Sequence, residues 1–393
     1  YQSSVDIFRE HAALSGFENN PAQKQRAFDI SAFNHITAEE YQQLTPIQWP
    51  VNQENPQGTQ RLFSQGTFFT PSKKARFIPI TPRTPKYLPN KAYPFVLNTG
   101  RIRDQWHTMT RTALAAKLNQ HKTEPFVEIH PDDAKQLALI DKSLARISTQ
   151  WGAMLARIAI TDSQQQGSLF IPMHWTEQYT SAGRVGVLVN PAIDPLSKQP
   201  ESKHTPANIQ TYQTAWQGFI LSHRELDFKP CDYYVKIKGE YYYHYELAGQ
   251  EIPENISEWV KNSLLSPALE SSQWQEYQDN AQGIYRAARI NDNQLKTLIF
   301  ISSDNDLPER NWLSSLFSQA TLDIDERRAL LTGQPPLGTP DVGQIVCSCF
   351  NVGEKTILNA IQENGFKTHQ EIGQCLKAGT NCGSCVPEIK ALF

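Results

Sequence analysis

Five of the six cysteines of this 393-residue chain lie after residue 346. Four of them form two close pairs, Cys347 with Cys349 and Cys382 with Cys385. Four thiol ligands arranged in this way suit zinc or an iron–sulfur cluster. A zinc site more often has C-x2-C at both ends, so the C-x-C pair is less usual for zinc. Disulfides are disfavoured because nothing in the sequence indicates an oxidising compartment.

Short helices are predicted around the cysteines. The segment VGEKTILNAIQENG is a helix that Gly365 ends, and THQEIGQCLKAG begins with a capping box from Thr368 to Glu371 and ends at Gly379. A third helix, VPEIKALF, starts directly after the last cysteine pair. The cysteines therefore lie in loops, where backbone N–H groups near Gly379 and Gly383 can point at sulfur and stabilise a reduced cluster.

A second candidate site is the segment NTGRIRDQWHTMTRT, residues 98–112, which follows a predicted strand. It places Arg101, Arg103, His107 and Arg111 among several threonine hydroxyls just after a glycine turn. Guanidinium and hydroxyl groups in this arrangement suit a phosphate or a hydrogen-bonding heterocycle. A solvated basic loop is an equally good interpretation of these residues taken alone. The later segment VNPAIDPLSKQPESKH is by itself a polar surface loop.

The remaining sequence indicates several domains. Residues 1–93 form an extended, proline-rich lead-in with one early helix, VDIFREHAALSG, that ends at Gly16. Residues 94–212 contain several short strands and few helices, which predicts a β-barrel rather than a doubly wound sheet. The predicted strands are PFVLNTG, SLARISTQ, LARIAIT and GSLFIPMHW, with a short helix at HPDDAKQLALI that begins at Pro131.

Residues 213–335 are predicted to form an α+β connecting module. It should contain a hairpin around Gly239 and amphipathic helices at PENISEWVKNSLL and NWLSSLFSQA. No set of catalytic residue types stands out there, so the module is expected to pack and connect. Cys231 in this module and Cys375 near the chain end are predicted to be packing residues rather than ligands. The segment TGQPPLGTPDVG is a linker by composition.

Charge and hydropathy exclude some functions. The formal net charge is −3, which does not favour nucleic acid or an anionic membrane surface. No run of about 18 apolar residues predicts a membrane-spanning helix, and the start at Tyr1 does not have the pattern of a signal peptide. No G-x-G-x-x-G follows a predicted strand, so a Rossmann unit has no support.

Residues 345–393 closely resemble the bacterioferritin-associated ferredoxin-like module. This resemblance implies one [2Fe–2S] cluster with Cys347, Cys349, Cys382 and Cys385 as ligands, in a small helical domain. A cluster at the end of a longer chain usually relays single electrons and makes or breaks no bonds itself.

The strings T-G-R, W-H-T, D-P-x-S and P-E-x-K resemble the molybdopterin dinucleotide-binding domain of molybdenum oxidoreductases. The forms RDQWHTMTRT and DPLSKQPESKH are most similar to bacterial cytoplasmic assimilatory nitrate reductases. The resemblance implies a six-stranded barrel of the double-psi type that clamps the guanosine and pyrophosphate of the cofactor. It carries over cofactor contacts to Thr99, Gly100, Arg101, Arg103, Trp106, His107, Thr108, His174 and Lys203, with Trp175 as a further lining residue.

The same resemblance implies that the chain is the C-terminal part of a larger catalytic subunit that uses molybdenum and bis-molybdopterin guanine dinucleotide. A [4Fe–4S] cluster and the molybdenum ligand are expected only in the missing N-terminal part, so no catalytic residue is assigned here. The implied substrate is nitrate, and the implied donor is a reduced flavoprotein or a small electron carrier. Two alternatives stay open: another molybdopterin oxidoreductase, such as a formate dehydrogenase, and a non-enzymatic iron–sulfur electron-transfer protein.

Overall fold

The computed structural model divides into two compact units, Tyr1–Thr84 and Pro85–Phe393. It describes residues 1–20, 25–226, 231–264, 273–304 and 306–393. Within these described ranges, no helix is both long enough and apolar enough to span a bilayer.

The first unit contains two helices, α1 (Ser4–Gly16) and α2 (Ala38–Gln43). Helix α1 ends at the glycine that the sequence predicted. Helix α2 was not predicted, although Thr37 and Glu40 form a capping box at its start. No strand is assigned to the described residues of this unit, which fits its proline-rich sequence.

A closed barrel of six strands follows, as expected. Its strand order is β1-β5-β2-β4-β3-β6, and α3 (Pro131–Gln136) follows the second strand. Apolar side chains from all six strands fill the interior, so the barrel is a packed core. The strands are β1 (Phe95–Gly100), β2 (Phe126–Ile129), β3 (Leu144–Ser148), β4 (Ala153–Ile160), β5 (Ser168–Pro172) and β6 (Thr205–Thr211).

The pairing of β1 brings three separate segments to one end of the barrel. Strand β1 is parallel to β5, with Gly100 opposite Pro172, so the segments that follow both strands emerge together. Strand β6 is antiparallel to β1, with Leu97 opposite Thr205, so the segment before β6 emerges at the same end. Residues 101–111, 173–175 and 199–204, which are far apart in sequence, therefore become neighbours.

Two barrel strands and one boundary differ from the sequence prediction. Strand β2 has only four residues, and β6 is polar and contains Pro206, so neither has a clear strand pattern. Helix α3 ends at Gln136, which is earlier than predicted. The apolar residues after it, among them Leu139, pack on the barrel without helical structure.

The connecting module is built on a six-stranded antiparallel sheet of order β10-β11-β12-β7-β9-β8. The hairpin predicted around Gly239 is confirmed as β8 and β9. The helix predicted from residue 253 is wrong in extent: α4 has four residues and continues as a short π-helix, Val260–Leu264, while Leu265 lies outside the described residues. The elements are β7 (Trp216–Ser222), β8 (Tyr233–Lys238), β9 (Tyr243–Gly249), α4 (Ile256–Trp259), β10 (Gln273–Asp279), β11 (Ile284–Asn291), β12 (Gln294–Ser302), α5 (Arg310–Ser315) and α6 (Ile324–Ala329).

A buried charged group that the sequence did not reveal lies in this module. The Glu246 carboxylate accepts hydrogen bonds from Arg310 at 3.0 and 2.9 Å and lies 2.8 Å from His244. Burial opposes ionisation of Glu246, but Arg310 and His244 outweigh it and hold the pKa of Glu246 at about 2. Because Arg310 also stacks on Phe219 at 4.5 Å, this group fastens α5 to the sheet and has a structural role.

The last 49 residues form a small helical module, as predicted. Helix α7 ends at Gly365 in a left-handed conformation, and α8 begins with the predicted capping box. Helix α8 ends at Leu376 rather than at Gly379, because Lys377 already adopts the left-handed conformation. The elements are β13 (Ile345–Cys347), β14 (Val352–Gly353), α7 (Glu354–Asn364), α8 (His369–Leu376) and α9 (Val386–Ala391).

Candidate cofactor-binding sites

Residues 101–111, here called the β1 loop, start directly after Gly100, a position that a neighbouring side chain covers closely. A Cβ on Gly100 would lie 2.7 Å from the Phe170 ring. The Gly100 carbonyl accepts a hydrogen bond from the N–H of Met173 at 2.9 Å, which extends the pairing of β1 and β5. The loop then turns sharply, with positive φ angles at His107 and Met109. Such angles are costly for these residue types, so the surrounding contacts must hold them.

His174 supplies those contacts. Its imidazole is fully buried, and its Nε2 accepts a hydrogen bond from the Ile102 N–H at 3.0 Å. Its Nδ1 lies 2.6 Å from the His107 carbonyl oxygen, which can only accept. The neutral ring therefore carries its proton on Nδ1. It hydrogen-bonds to the backbone of Ile102 and of His107, and so connects two parts of the turn. Burial, together with the nearby charge of Arg101, lowers the pKa of His174.

The segment before β6 closes the other side of this end of the barrel. The hydroxyl of Thr99 donates to the Ser202 carbonyl at 3.1 Å, and the Lys203 amine donates to the Thr99 carbonyl. Within the described chain, the buried Nε2 of His204 has no hydrogen-bond partner. This nitrogen is available for a hydrogen bond to water or to a polar ligand.

Four of the predicted contact residues form an exposed rim on the β1 loop. The Arg101 guanidinium lies over the Trp106 ring, 5.2 Å from its centre, and Trp106 is 51% exposed. His107 and Thr108 are also exposed. A flat cation–aromatic pair beside free hydroxyl and imidazole groups can bind a nucleotide base or a phosphate. These groups, together with the unpaired ring nitrogen of His204, fit a dinucleotide ligand.

Arg103 lies elsewhere, although the sequence grouped it with these residues. Its guanidinium donates to both carboxylate oxygens of Glu388 at 3.0 Å and to the Val346 carbonyl at 2.6 Å. It also lies 2.9 Å from Asp104. These partners turn the side chain toward the C-terminal module, away from the rim around Arg101. A contact between Arg103 and the dinucleotide stays a prediction.

The four cysteines of the two motifs meet in crosswise pairs. The sulfurs of Cys349 and Cys382 are 3.5 Å apart, and Cys347 lies next to Cys385. Each pair therefore takes one cysteine from each motif. Two sulfurs on one tetrahedral metal with bonds of about 2.3 Å would be about 3.8 Å apart, so the spacing of the first pair fits a shared metal ion.

The protein surroundings distinguish the two pairs. Burial and the neighbouring Cys347 thiol together raise the pKa of Cys385 to about 11. A hydrogen bond from the backbone N–H of Gly379 acts in the opposite direction, as the sequence predicted for this glycine. Hydrogen bonds from Ser384 lower the pKa of Cys382, which is exposed.

The two pairs fit a two-iron cluster, because each iron of a [2Fe–2S] cluster takes two protein ligands. Each pair would supply the two ligands of one iron. Cys375 is exposed on α8, and burial raises the pKa of Cys231 to about 11 in the connecting module. Neither belongs to the two pairs.

Comparison with known protein families agrees with both sites. Residues 95–206 match the Molydopterin dinucleotide binding domain, and residues 345–393 match the BFD-like [2Fe-2S] binding domain. The chain therefore contains both cofactor-binding domains. The first match contains the β1 loop, His174 and Lys203, and the second contains the four paired cysteines.

Curated relatives extend over more of the chain. A nitrate reductase from Klebsiella oxytoca is 35% identical over 100% of this chain and 43% of its own length. The assimilatory nitrate reductase catalytic subunit of Bacillus subtilis is 30% identical over 52% of this chain and 27% of its own length. The F420-dependent formate dehydrogenase subunit alpha of Methanocaldococcus jannaschii is 36% identical over 42% of this chain and 24% of its own length. The chain thus spans less than half of each of these relatives.

The sequence analysis did not identify three polar residues that lie near Arg103. His121 lies 2.9 Å from Asp104 and 3.4 Å from Glu388, and all three contact or face the same guanidinium. They are separated by up to 284 positions and form no motif, so no sequence signal marks them. Burial opposes ionisation of Glu388, but His121 and Arg103 outweigh it and hold its pKa at about 2.

Proposed function

We propose that this chain is the C-terminal part of a cytoplasmic molybdenum enzyme that reduces nitrate to nitrite for assimilation. The observation that carries the proposal is the similarity to the Klebsiella oxytoca nitrate reductase, which extends over 100% of the chain. The two cofactor-binding domains support it, because reduction of nitrate needs both a redox centre and a source of electrons.

In this proposal the bound molybdenum cofactor supplies the two-electron redox chemistry. The chain's own residues bind and orient one arm of it. Arg101 and Lys203 neutralise phosphate charge, Trp106 and His107 border the ligand, and His174 holds the loop without contacting it. Lys203 would exchange its bond to the Thr99 carbonyl for a charge-assisted contact.

Electron supply is the role of the C-terminal module. Cys347, Cys349, Cys382 and Cys385 would hold a [2Fe–2S] cluster, and a reduced flavoprotein or a small electron carrier would be the donor. The [4Fe–4S] cluster and the molybdenum ligand would lie in the preceding part of the subunit.

Measurements on the longer protein test the enzyme assignment. We expect molybdenum, guanine nucleotide after acid release, and nitrite formation from nitrate with reduced viologen. The 393-residue chain alone should form no nitrite above the blank, since it lacks the proposed molybdenum ligand. Nitrite formation by the isolated chain would contradict its assignment as one part of the active subunit.

A formate dehydrogenase is the second candidate, because the Methanocaldococcus jannaschii relative is 36% identical over 164 residues. Formate oxidation with an artificial acceptor, in the absence of nitrite formation, would favour this candidate. A longer protein that contains iron but neither molybdenum nor pterin would instead indicate a non-enzymatic iron–sulfur electron-transfer protein.

Replacing Arg101 or Lys203 with alanine in the longer protein should lower its molybdenum and guanine content. Loss of one charge-assisted contact costs about 1.5–3 kcal/mol, which is roughly a 10- to 150-fold weaker affinity. Lys198→Ala is the matched control, because Lys198 is exposed in the same segment and its amine contacts only the local Pro195 carbonyl among the described contacts. Equal cofactor content in all three variants would refute the two assignments.

A further inference from the structure

Arg103 on the β1 loop contacts the C-terminal module. Arg103 binds Glu388 on α9 through two parallel hydrogen bonds of 3.0 Å and binds the Val346 carbonyl next to Cys347 at 2.6 Å. It is only 15% exposed. Glu388 is 41% exposed, but the bidentate geometry makes this contact more directional than an ordinary surface ion pair.

His121 and Asp104 complete the contact from the barrel side. The His121 ring bridges Asp104 at 2.9 Å and Glu388 at 3.4 Å, and both His121 and Asp104 are more than nine-tenths buried. Gln344, just before the module, donates to the His121 carbonyl at 3.1 Å. A guanidinium, an imidazole and two carboxylates thus alternate across the contact. A balanced group of this kind fixes one relative orientation of its two sides.

This contact gives the cluster site an inner and an outer edge. Cys347 and Cys385 are 2% and 1% exposed and face the side where Arg103 binds. Cys382 is exposed and Cys349 is partly exposed on the other side. Through its bond to the Val346 carbonyl, Arg103 also places a positive charge beside the Cys347/Cys385 edge. The two edges therefore differ both in access to solvent and in nearby charge.

We propose that Arg103 is a positioning residue that locks the [2Fe–2S] module onto the β1 loop, so that electrons enter at the Cys349/Cys382 edge and leave at the Cys347/Cys385 edge. This inference rests on the proposed function, because it assumes that the cluster relays electrons to the bound dinucleotide cofactor. Each passage moves one electron from the reduced flavoprotein or carrier through the cluster. Two passages, with two protons, reduce one nitrate to nitrite and water.

In the β1 loop, Arg103 is close in sequence to the exposed rim residues that would bind the dinucleotide. Arg101 and Arg103 are two residues apart, and the Ile102 N–H between them is held by His174. One short segment therefore contacts both cofactor sites. Displacing the module would lengthen the path for the electron without removing a ligand from either cofactor.

The test compares Arg103→Ala and Arg103→Lys in the cluster-loaded longer protein, with Arg111→Ala as control. Arg111 lies in the same loop and carries the same charge, but its side chain is exposed. We expect all three variants to keep their iron. In Arg103→Ala, proteolysis of the linker at residues 332–343 should be roughly ten-fold faster. This lies between the effect expected for losing an exposed ion pair and that for losing a buried one. The cluster midpoint potential should shift to more negative values, because a nearby positive charge is lost.

Lysine at position 103 should restore the potential but not the linker protection, because it keeps the charge and loses the bidentate geometry. The double variant Arg103→Glu/Glu388→Arg should recover part of the protection. The proposal is overturned if Arg103→Ala leaves both linker cleavage and potential unchanged, or if it lowers guanine content while the linker stays protected. These measurements need only the cluster, so a protein that lacks molybdenum would refute the proposed function and leave this test valid.

Discussion

Replacing Cys382 with serine in the longer protein should abolish the [2Fe–2S] absorption and reduce bound iron from two atoms per chain to nearly none. Serine has almost the same size as cysteine, but its oxygen is a much harder and weaker ligand for iron in a sulfur-rich site. Cys382 is paired with Cys349 at 3.5 Å, so its loss leaves one iron with a single protein sulfur. Turnover with the flavoprotein donor should then be lost.

A small artificial reductant should still support nitrate reduction in this variant, because it can reach the molybdenum site without the cluster. Cys375→Ser is the matched control, since Cys375 is an exposed cysteine of the same module outside both pairs. It should keep the full absorption. If Cys375→Ser loses the cluster and Cys382→Ser keeps it, the ligand set is wrong. Zinc without iron in the isolated protein would contradict electron relay altogether.

The cysteine site could be predicted because its information is local. Two short motifs, three short helices and the glycines between them all lie within 49 residues, and local propensities agree with the fold. Gly365 and the Thr368 capping box end and begin helices in the structure as expected. The hairpin around Gly239 was predictable for the same reason, because one alternating segment forms both of its strands.

The barrel end could be predicted only in part, because long-range strand pairing assembles it. Strands β5 and β6 both pair with β1, and this pairing brings His174 and Lys203 to the β1 loop from 67 or more positions away. The family resemblance named these residues as cofactor contacts, but it did not give the contacts that they make within the protein. Strand β6 was missed, because tertiary pairing rather than propensity makes TPANIQT a strand.

Arg103 shows a different limit of the sequence. Its neighbours in the chain include Arg101 and His107, so residue type and spacing group it with the dinucleotide contacts. In the structure its guanidinium binds Glu388, which is 285 positions away in the chain. The direction in which a charged side chain leaves a loop depends on the charges that distant parts of the chain place nearby. A local sequence pattern does not contain this information.

Replacing His174 with alanine should release most of the bound dinucleotide without disturbing the [2Fe–2S] cluster. The variant removes the acceptor for the Ile102 N–H and the donor for the His107 carbonyl, and it leaves a cavity in a fully buried place. These losses cost about 2–5 kcal/mol of local stability. The positive φ angles at His107 and Met109 then lose their support, so the loop should open.

Hydrogen exchange and cofactor analysis measure this effect. Amide protection in residues 101–109 and guanine content should both fall at least ten-fold in His174→Ala, while iron content stays at the wild-type level. His174→Gln should retain part of both, because its amide can accept from one partner and donate to the other. His130→Ala is the control: His130 caps α3 at 3.1 Å and makes no contact with the β1 loop among the described hydrogen bonds. Unchanged loop protection in His174→Ala would disprove the role assigned to His174.

The pH dependence gives an independent check. Burial lowers the pKa of His174 in the folded protein below its ordinary value of 6.5, so the unfolded loop binds the proton more readily. The stabilising contribution of His174 is therefore complete above about pH 6.5 and decreases as the pH falls below it. Protonation of Nε2 would place a donor against the Ile102 N–H and break that bond. The wild-type protein should accordingly retain less dinucleotide as the pH falls below 6.5. In His174→Gln, dinucleotide retention should not show this decrease, because glutamine does not titrate.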